Sequence, residues 1–222
     1  NILEGKNINI FATRAIPGIT PVAYSSLYPE EIDNHFTLED VPMILSYEPG
    51  VYAYSESGNG TGYTYVSIRG FDQSEIAVMI DNVPMNDNES HQVYWADHGN
   101  ILSDVKEIQI QRGIGNSVYG TAAFGGSINV HTKIKSNNPT LETNIGTGSF
   151  NSSKINIQYN AGNNWGNNTG INMRISQIKS NGYRKYHNSI QNALSIGIEH
   201  STKKITNQFR ALIGHVNSDL TW

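Results

Sequence analysis

Acidic, histidine and aromatic side chains are concentrated in one short stretch of the sequence, from Asn86 to Asn100. The stretch contains Asp87, Glu89, His91, Tyr94, Trp95, Asp97 and His98. Several of these side chains carry metal-binding atoms, but their spacing matches neither an EF-hand loop nor the His-Glu-x-x-His helix of zinc enzymes. We therefore expect no metal site, and we interpret the stretch as a loop that either forms internal hydrogen bonds or contacts a substrate.

A second candidate for ligand contact is the stretch from Tyr52 to Tyr63, in which Tyr52, Tyr54 and Tyr63 stand among serine, glycine and asparagine. Tyrosine rings present a large contact area at a low cost in rotamer entropy. They suit a sugar, a peptide, a porphyrin or a metal chelate equally well. The stretch therefore predicts a binding loop without identifying its ligand.

Two arginines, Arg69 and Arg112, each end an apolar run and precede a glycine. A guanidinium at such a place is costly to bury unless a carboxylate pairs with it. We expect each arginine to have a carboxylate partner, and two solvated surface arginines are the alternative.

Signatures of catalysis are absent from the sequence. It contains no Gly-x-Ser-x-Gly elbow, no phosphate-binding loop and no dinucleotide-binding glycine motif. The absence of cysteine excludes thiol chemistry and thiolate metal sites. A net charge of −4 gives no general attraction to nucleic acid. We expect a protein that is not an enzyme, has no cofactor and binds no nucleic acid.

Charge divides the chain into two parts. Residues 1–135 carry 16 acidic and 7 basic side chains, a net charge of −9, whereas residues 136–222 carry 3 acidic and 8 basic ones, a net charge of +5. The polar run before Pro139 favours an extended connector between the parts. We place the domain boundary after Lys135.

The first part is predicted to be α+β. Pro29 with two following glutamates predicts a helix start, and Thr37 with Asp40 resembles a capping box before a second helix. Short runs rich in β-formers predict the strands Tyr65–Ile68, Ile76–Ile80, Ile108–Gln111 and Ser127–Val130.

The second part is predicted to be entirely β. Apolar and polar residues alternate around Ile157, Met173 and Ile196, and two further runs bring the number of consecutive antiparallel strands to about five. We expect short and long connectors to alternate, as in an outer-membrane barrel. Strands with one apolar face also suit a soluble β-sandwich, and alternation alone does not separate the two.

Five strands cannot stand alone in lipid, because an open sheet leaves unpaired backbone groups at both edges. If the second part is a membrane barrel, we therefore expect it to be incomplete within these 222 residues.

An ordered set of short motifs lies in the first part. The motifs are Pro49-Gly50-Val51, Val66-Ser67-Ile68-Arg69-Gly70, Val78-Met79-Ile80-Asp81-Asn82-Val83-Pro84, Ile108-Gln109-Ile110-Gln111-Arg112-Gly113, Tyr119-Gly120 and Gly125-Gly126-Ser127-Ile128-Asn129-Val130. This set resembles the plug domain of TonB-dependent outer-membrane receptors. The alternating strands that follow resemble the first strands of the family's 22-stranded barrel.

The resemblance implies a location in the bacterial outer membrane, among its lipids, and active import of a bound ligand through a plugged barrel. The implied partners are TonB, energised by ExbB and ExbD, and a small-molecule or metal-chelate substrate, foremost a ferric siderophore or similar iron chelate. Receptors for vitamins, haem, glycans or peptides, and non-transporting surface or signalling receptors, are the alternatives.

The resemblance also assigns roles to residues. It implies that Arg69 and Arg112 pair with glutamates of the barrel and that the two tyrosine-containing stretches face the substrate. The segment Ile8, Asn9, Ile10, Phe11 and Ala12 is similar to a TonB box, the extended segment that pairs with an edge of TonB. A plain first strand of the plug is the other interpretation of this segment.

Overall fold

The computed structural model describes residues 15, 20, 22–35, 38–113, 123–162, 165 and 168–219. Its helices are α1 Pro29–His35 and α2 Val41–Leu45, with 3₁₀ turns at Gln73–Glu75, Trp95–His98 and Ile101–Asp104. Its strands are β1 Ala23–Leu27, β2 Val51–Ser55, β3 Thr64–Ile68, β4 Ile76–Ile80, β5 Val83–Pro84, β6 Val105–Arg112, β7 Gly126–Thr132, β8 Thr140–Gly148, β9 Ser152–Asn160, β10 Thr169–Ser180, β11 Ser189–Ser201 and β12 Thr206–Ser218. Across the described ranges, no helix is both long and apolar enough to cross a membrane.

The described residues up to Lys135, here called the N-terminal unit, fold around a mixed sheet with the strand order β1-β6-β7-β4-β5. A separate hairpin of β2 and β3 packs beside α2. All five residues of β4 are buried, because its Ile-Ala-Val-Met-Ile sequence lies inside the apolar core. The four strands predicted in this unit are confirmed as β3, β4, β6 and β7.

The two predicted helices are present, but the second begins later than the sequence suggested. Helix α1 starts at Pro29 as expected. Helix α2 starts at Val41 with Asp40 as its N-cap, so the capping box starting at Thr37 was wrong. Pro42 explains the start, because proline is favoured only in the first turn of a helix.

The C-terminal sheet consists of β8 to β12 paired antiparallel in chain order, which confirms the predicted meander of five strands. Their connectors are residues 149–151, 161–168, 181–188 and 202–205. The two middle connectors are equally long, so the expected alternation of short and long connectors was wrong.

The two faces of the C-terminal sheet are opposite in polarity, and the polar face is the buried one. On β10, Asn172 and Arg174 are each 1% exposed, whereas Ile175 is 62% exposed. The strand register places Ile175 beside Ile157 of β9 and Leu194 of β11, so the apolar side chains form one continuous outer face. A soluble β-sandwich would bury this apolar face. The arrangement instead has the polarity of a membrane barrel wall, with polar residues inside and apolar residues outside.

The N-terminal unit packs directly on the polar face of the C-terminal sheet. Asn100 donates a side-chain hydrogen bond of 2.8 Å to Asn156 of β9, and Asn160 donates one of 3.1 Å to the carbonyl oxygen of Ile134. Gly214 of β12 faces the backbone of the Trp95–His98 turn so closely that a Cβ atom there would lie 2.7 Å from the carbonyl oxygen of Asp97. The unit therefore covers the polar face of β9, β10 and β11.

Candidate functional site

A cluster of tyrosines lies on the hairpin formed by β2 and β3. The rings of Tyr54 and Tyr65 stack with centroids 5.0 Å apart, and Tyr52 lies 6.3 Å from Tyr54. The Tyr65 hydroxyl donates a 3.1 Å hydrogen bond to Glu56. Tyr52 and Tyr54 are largely exposed but belong to strand β2, which corrects the expectation that they stand on a loop.

Burial and the neighbouring Glu56 carboxylate raise the pKa of Tyr65 to about 12. The phenol is therefore protonated at neutral pH and remains a hydrogen-bond donor. Tyr65 was not among the expected contact residues, although its period-two spacing from Tyr63 could have indicated a shared side of the hairpin.

Tyr63 and Tyr94 come from different expected contact stretches and line one cavity of about 270 Å³. The lining of this cavity also includes Tyr65 and residues 95–97 of the N-terminal unit. Val216 and Ser218 of β12 belong to the lining as well. The cavity thus combines the hairpin, the 3₁₀ turn and the C-terminal sheet. Its aromatic lining suits a flat or cyclic organic surface.

The loop of residues 86–92 is organised by its own side chains. Asp87 accepts hydrogen bonds from the backbone N–H groups of Glu89 and Ser90, at 3.1 and 2.8 Å, and these bonds lower the pKa of Asp87. Asn86 joins the loop to β4 through the carbonyl oxygen of Ile76. Glu89 and His91 point to solvent. Asp87 is thus explained by turn formation, whereas substrate contact by Glu89 and His91 stays a prediction.

Trp95 is a buried packing residue, whereas His98 is half-buried. Trp95 is 2% exposed, belongs to the apolar core and donates a 2.9 Å hydrogen bond to Gln73. His98 lies beside Arg174 and Leu212 of the C-terminal sheet, and burial lowers its pKa. Both were expected to contact substrate: the burial of Trp95 speaks against that role, whereas substrate contact by His98 stays a prediction.

Arg112 finds its carboxylate partner within the N-terminal unit. Its guanidinium lies 3.2 Å from Glu48, and it also donates hydrogen bonds to Ser25 and to the carbonyl oxygen of Pro49. Pairing of Arg112 with a barrel glutamate, which the resemblance implies, stays a prediction. Arg69 is exposed, and its guanidinium lies near Gly113, next to Arg112. Pairing of Arg69 with a barrel carboxylate stays a prediction.

Ion pairs between the N-terminal unit and the C-terminal sheet do occur, with the charges reversed from expectation. Asp104 lies 3.2 Å from Arg174 of β10 and 4.0 Å from Arg210 of β12, and Arg210 lies 3.1 Å from Asp81. Arg174 and Asp104 are almost fully buried. The close pairs meet the distance for an ion pair, but the guanidinium N–H groups are not aligned for hydrogen bonds.

These four residues could not be predicted as pairs from the sequence, because the partners are distant in the chain. A signal was nevertheless present: Arg174 occupies a polar position of an alternating strand, where a charge facing a protein interior requires a counterion. Burial raises the pKa of Asp104, and Arg174 and Arg210 oppose that shift.

Asp40 is a second buried acid at this interface. It accepts a 3.2 Å hydrogen bond from the Thr64 hydroxyl and lies beside Gln191 of β11. Burial raises its pKa to about 7. Its protonation therefore changes near neutral pH.

Two further expectations concern metal binding and the N-terminal segment. Within the described part of the chain, no group of three or more histidine and acidic side chains is placed to hold a metal ion. The TonB-box-like segment, Ile8 to Ala12, lies outside the described residues.

Comparison with known proteins identifies the class. Residues 19–127 match the family model of the TonB-dependent Receptor Plug Domain. The chain is 26% identical over 134 residues to the ferrienterobactin receptor of Escherichia coli K12, covering 56% of this chain and 18% of that protein. It is 32% identical over 100 residues to lactoferrin-binding protein A of Neisseria meningitidis, covering 40% of this chain and 10% of that protein.

Solved structures share the fold. The ferric citrate transporter in its unliganded form superposes with a TM-score of 0.73 at 17% identity, covering 90% of this chain and 32% of that one. The ferripyoverdine receptor of Pseudomonas aeruginosa superposes with a TM-score of 0.71 at 14% identity, covering 93% and 27%. Residues 19–127 are therefore a plug domain of the TonB-dependent receptor family, and the N-terminal unit that contains them is here called the plug.

Proposed function

We propose that this chain supplies the plug and the first wall strands of a 22-stranded receptor that binds an extracellular ligand and imports it. The domain boundary is taken to follow Lys135. The observation that carries the proposal is the polarity of the C-terminal sheet, whose polar face covers the plug while Ile175 and its apolar neighbours face outward. A lumen as wide as that of a 22-stranded barrel needs such a seal.

The ligand is proposed to be a ferric siderophore or a similar iron chelate. Similarity to a ferrienterobactin receptor supports this class, and so does the fold shared with a ferric citrate transporter. The proposed contact surface is the exposed pair Tyr52 and Tyr54 together with the cavity lined by Tyr63 and Tyr94. Aromatic rings match the rigid organic groups that surround iron in such chelates.

Import is proposed to depend on the segment Ile8 to Ala12, which would add as a strand to an edge of TonB. Tension applied there, drawn from ExbB and ExbD, would reach β1 first. Among the described strands, β1 lies at the edge of the plug sheet and pairs with β6 alone, so it is exposed to such tension. Arg112 holds β1 in place through Ser25.

The test is uptake of radiolabelled iron by cells that make the full-length receptor, with ferric enterobactin, ferric citrate and haemin as probes. We expect uptake of one iron chelate that disappears in cells lacking TonB. Ile10→Pro should also abolish uptake, because proline cannot donate the backbone hydrogen bond that strand pairing needs, whereas Ile10→Val should retain it.

Uptake of the same size in cells lacking TonB would contradict active import. Binding of a chelate or of haemin without any uptake would instead favour a surface or signalling receptor.

A further inference from the structure

Four charged residues, here called the charge cluster, join the plug to the C-terminal sheet at two places. They are Asp81 and Asp104 of the plug and Arg174 and Arg210 of the sheet. Asp104 is the last residue of the second of two consecutive 3₁₀ turns and meets arginines of β10 and β12, which lie on either side of β11. Asp81 meets Arg210 and also accepts hydrogen bonds from the backbone and side chain of Thr132, at the end of β7. One polar network therefore connects the β4 and β7 ends of the plug sheet with the wall.

The segment Trp95–Asp104 is also held by close packing. The backbone at Asp97 approaches Gly214 of β12, and Asn100 is hydrogen-bonded to Asn156 of β9. A Cβ atom at Gly99 would lie 3.8 Å from the Cβ atom of Ala193 of β11. The segment thus touches β9, β11 and β12 by contacts that do not involve the charge cluster.

Packing is much looser on the side of the plug that faces β8. A cavity of about 770 Å³ lies there, and its lining includes Glu142 and Asn144 of β8 and Lys154 and Gln158 of β9. Moving the plug away from β8 breaks few contacts. Moving the segment Trp95–Asp104 away from its neighbours would separate Asp104 from the buried Arg174, which has no other counterion within the described residues, whereas Arg210 would keep Asp81.

We propose that the segment Trp95–Asp104 stays docked on β9–β12 throughout transport, with Asp104 and Asp81 as its positioning residues, and that the substrate passes on the β8 side of the plug. This inference rests on the proposed import function and adds which part of the plug remains in place.

An engineered disulfide tests the inference, because the described chain contains no cysteine that would compete. The variant Gly99→Cys with Ala193→Cys joins the segment to β11 at a Cβ separation of 3.8 Å, within the range of natural disulfides. The matched control is Gly148→Cys with Ser152→Cys, which has the same 3.8 Å separation and joins β8 to β9, so it leaves the plug without a covalent link to the wall.

Uptake of the chelate transported by the wild type is measured with each disulfide oxidised and then reduced. We expect the oxidised Gly99–Ala193 variant to transport as fast as its reduced form and as the control. Loss of uptake that reduction restores, with the control unaffected, would overturn the inference.

The variant Asp104→Asn tests the charge cluster separately. It leaves the buried Arg174 without a counterion, so the plug should detach more easily and become susceptible to protease. Adding Arg174→Gln to Asp104→Asn removes both charges and should recover protection. If Asp104→Asn leaves the plug protected, Asp104 is not a positioning residue. Failure of the proposed import function can be distinguished from failure of this inference, because the wild-type receptor itself would then show no TonB-dependent uptake.

Discussion

The Asp104 carboxylate lies 3.2 Å from the Arg174 guanidinium, and the two side chains are 0% and 1% exposed. One belongs to the plug and the other to strand β10. Two buried opposite charges at this distance stabilise only the arrangement in which the plug covers the polar face of the wall, because either charge alone would be costly to bury.

Removing one member of this pair should destabilise the receptor. We expect Arg174→Gln to lower the free energy of unfolding by about 3–5 kcal/mol, since Asp104 is left buried without its partner. Adding Asp104→Asn should recover most of the loss. The measurement is urea unfolding of the receptor in lipid vesicles, and Arg184→Gln on the exposed connector is the control. Equal stability of the Arg174 and Arg184 variants would refute the role of the pair.

The tyrosine cavity predicts a separation of binding from stability. Alanine at Tyr63 and Tyr94 should weaken chelate binding and leave the melting temperature close to that of the wild type, since both line an open cavity. Trp95→Ala should instead cost about 3–5 kcal/mol of stability, as expected for a buried tryptophan.

Titration of the chelate with the purified receptor measures the first effect, and Tyr28→Ala, outside the tyrosine cluster, is the control. Wild-type affinity in the Tyr63 and Tyr94 double variant would remove this cavity from the ligand site.

The buried Asp40 predicts that the stability of the folded receptor depends on pH. Burial raises its pKa from 3.8 to about 7, so the folded receptor binds this proton more tightly than the unfolded chain. Its contribution to stability is fully present below pH 3.8 and is lost as the pH rises to about 7. The slope across this window is up to about 1.4 kcal/mol per pH unit.

Asn resembles the protonated acid, so Asp40→Asn should flatten the stability profile between pH 4 and pH 7 (roughly the titration window) relative to the wild type. Thermal unfolding in detergent at several pH values measures this. Asp72→Asn, at an exposed 3₁₀ N-cap, is the control. Parallel profiles for the wild type and Asp40→Asn would show that Asp40 does not titrate in this range.

The apolar outer face of the C-terminal sheet predicts that lysine substitutions at neighbouring sites on β10 lower the stability in a bilayer by different amounts. Ile175→Lys places a charge among apolar residues and should cost about 2–4 kcal/mol in a bilayer. Gln177→Lys lies on the same face at the edge of the apolar band, where its neighbours Asn192 and Lys179 are polar, and should cost less, about 0–1 kcal/mol. Folding into vesicles in urea compares the two variants. Equal costs would contradict a lipid-facing band at Ile175.

The sequence predicted the strands well where side-chain alternation was strong. The five strands of the C-terminal sheet follow from alternation around residues such as Ile157, Met173 and Ile196, since this period belongs to a sheet with unlike faces. The sequence could not show which face is buried, because alternation is the same in a soluble sandwich and a membrane wall. The structure shows that the polar face is the buried one, because the N-terminal unit packs on Asn172 and Arg174.

The candidate site was less predictable, because its contacts join distant parts of the chain. Trp95 stands in a polar stretch, and its burial depends on Gln73, a hydrogen-bond partner from another turn. Arg112 was expected to need a carboxylate, but its partner, Glu48, becomes a neighbour only when α2 packs beside the sheet. Strand β1 has a sequence poor in β-branched residues, and pairing with β6 imposes its conformation.

The most direct test of the central claim is a scan of β10 with nitroxide spin labels in the receptor reconstituted into lipid bilayers. If the apolar face of β10 contacts lipid, labels at positions 171, 173 and 175 should collide with oxygen dissolved in the lipid. Labels at positions 172, 174 and 176 should be shielded from both oxygen and a water-soluble relaxation reagent, since the plug covers that face. The contradicting result is access of the water-soluble reagent to positions 171, 173 and 175, which would make the apolar face a surface in contact with water.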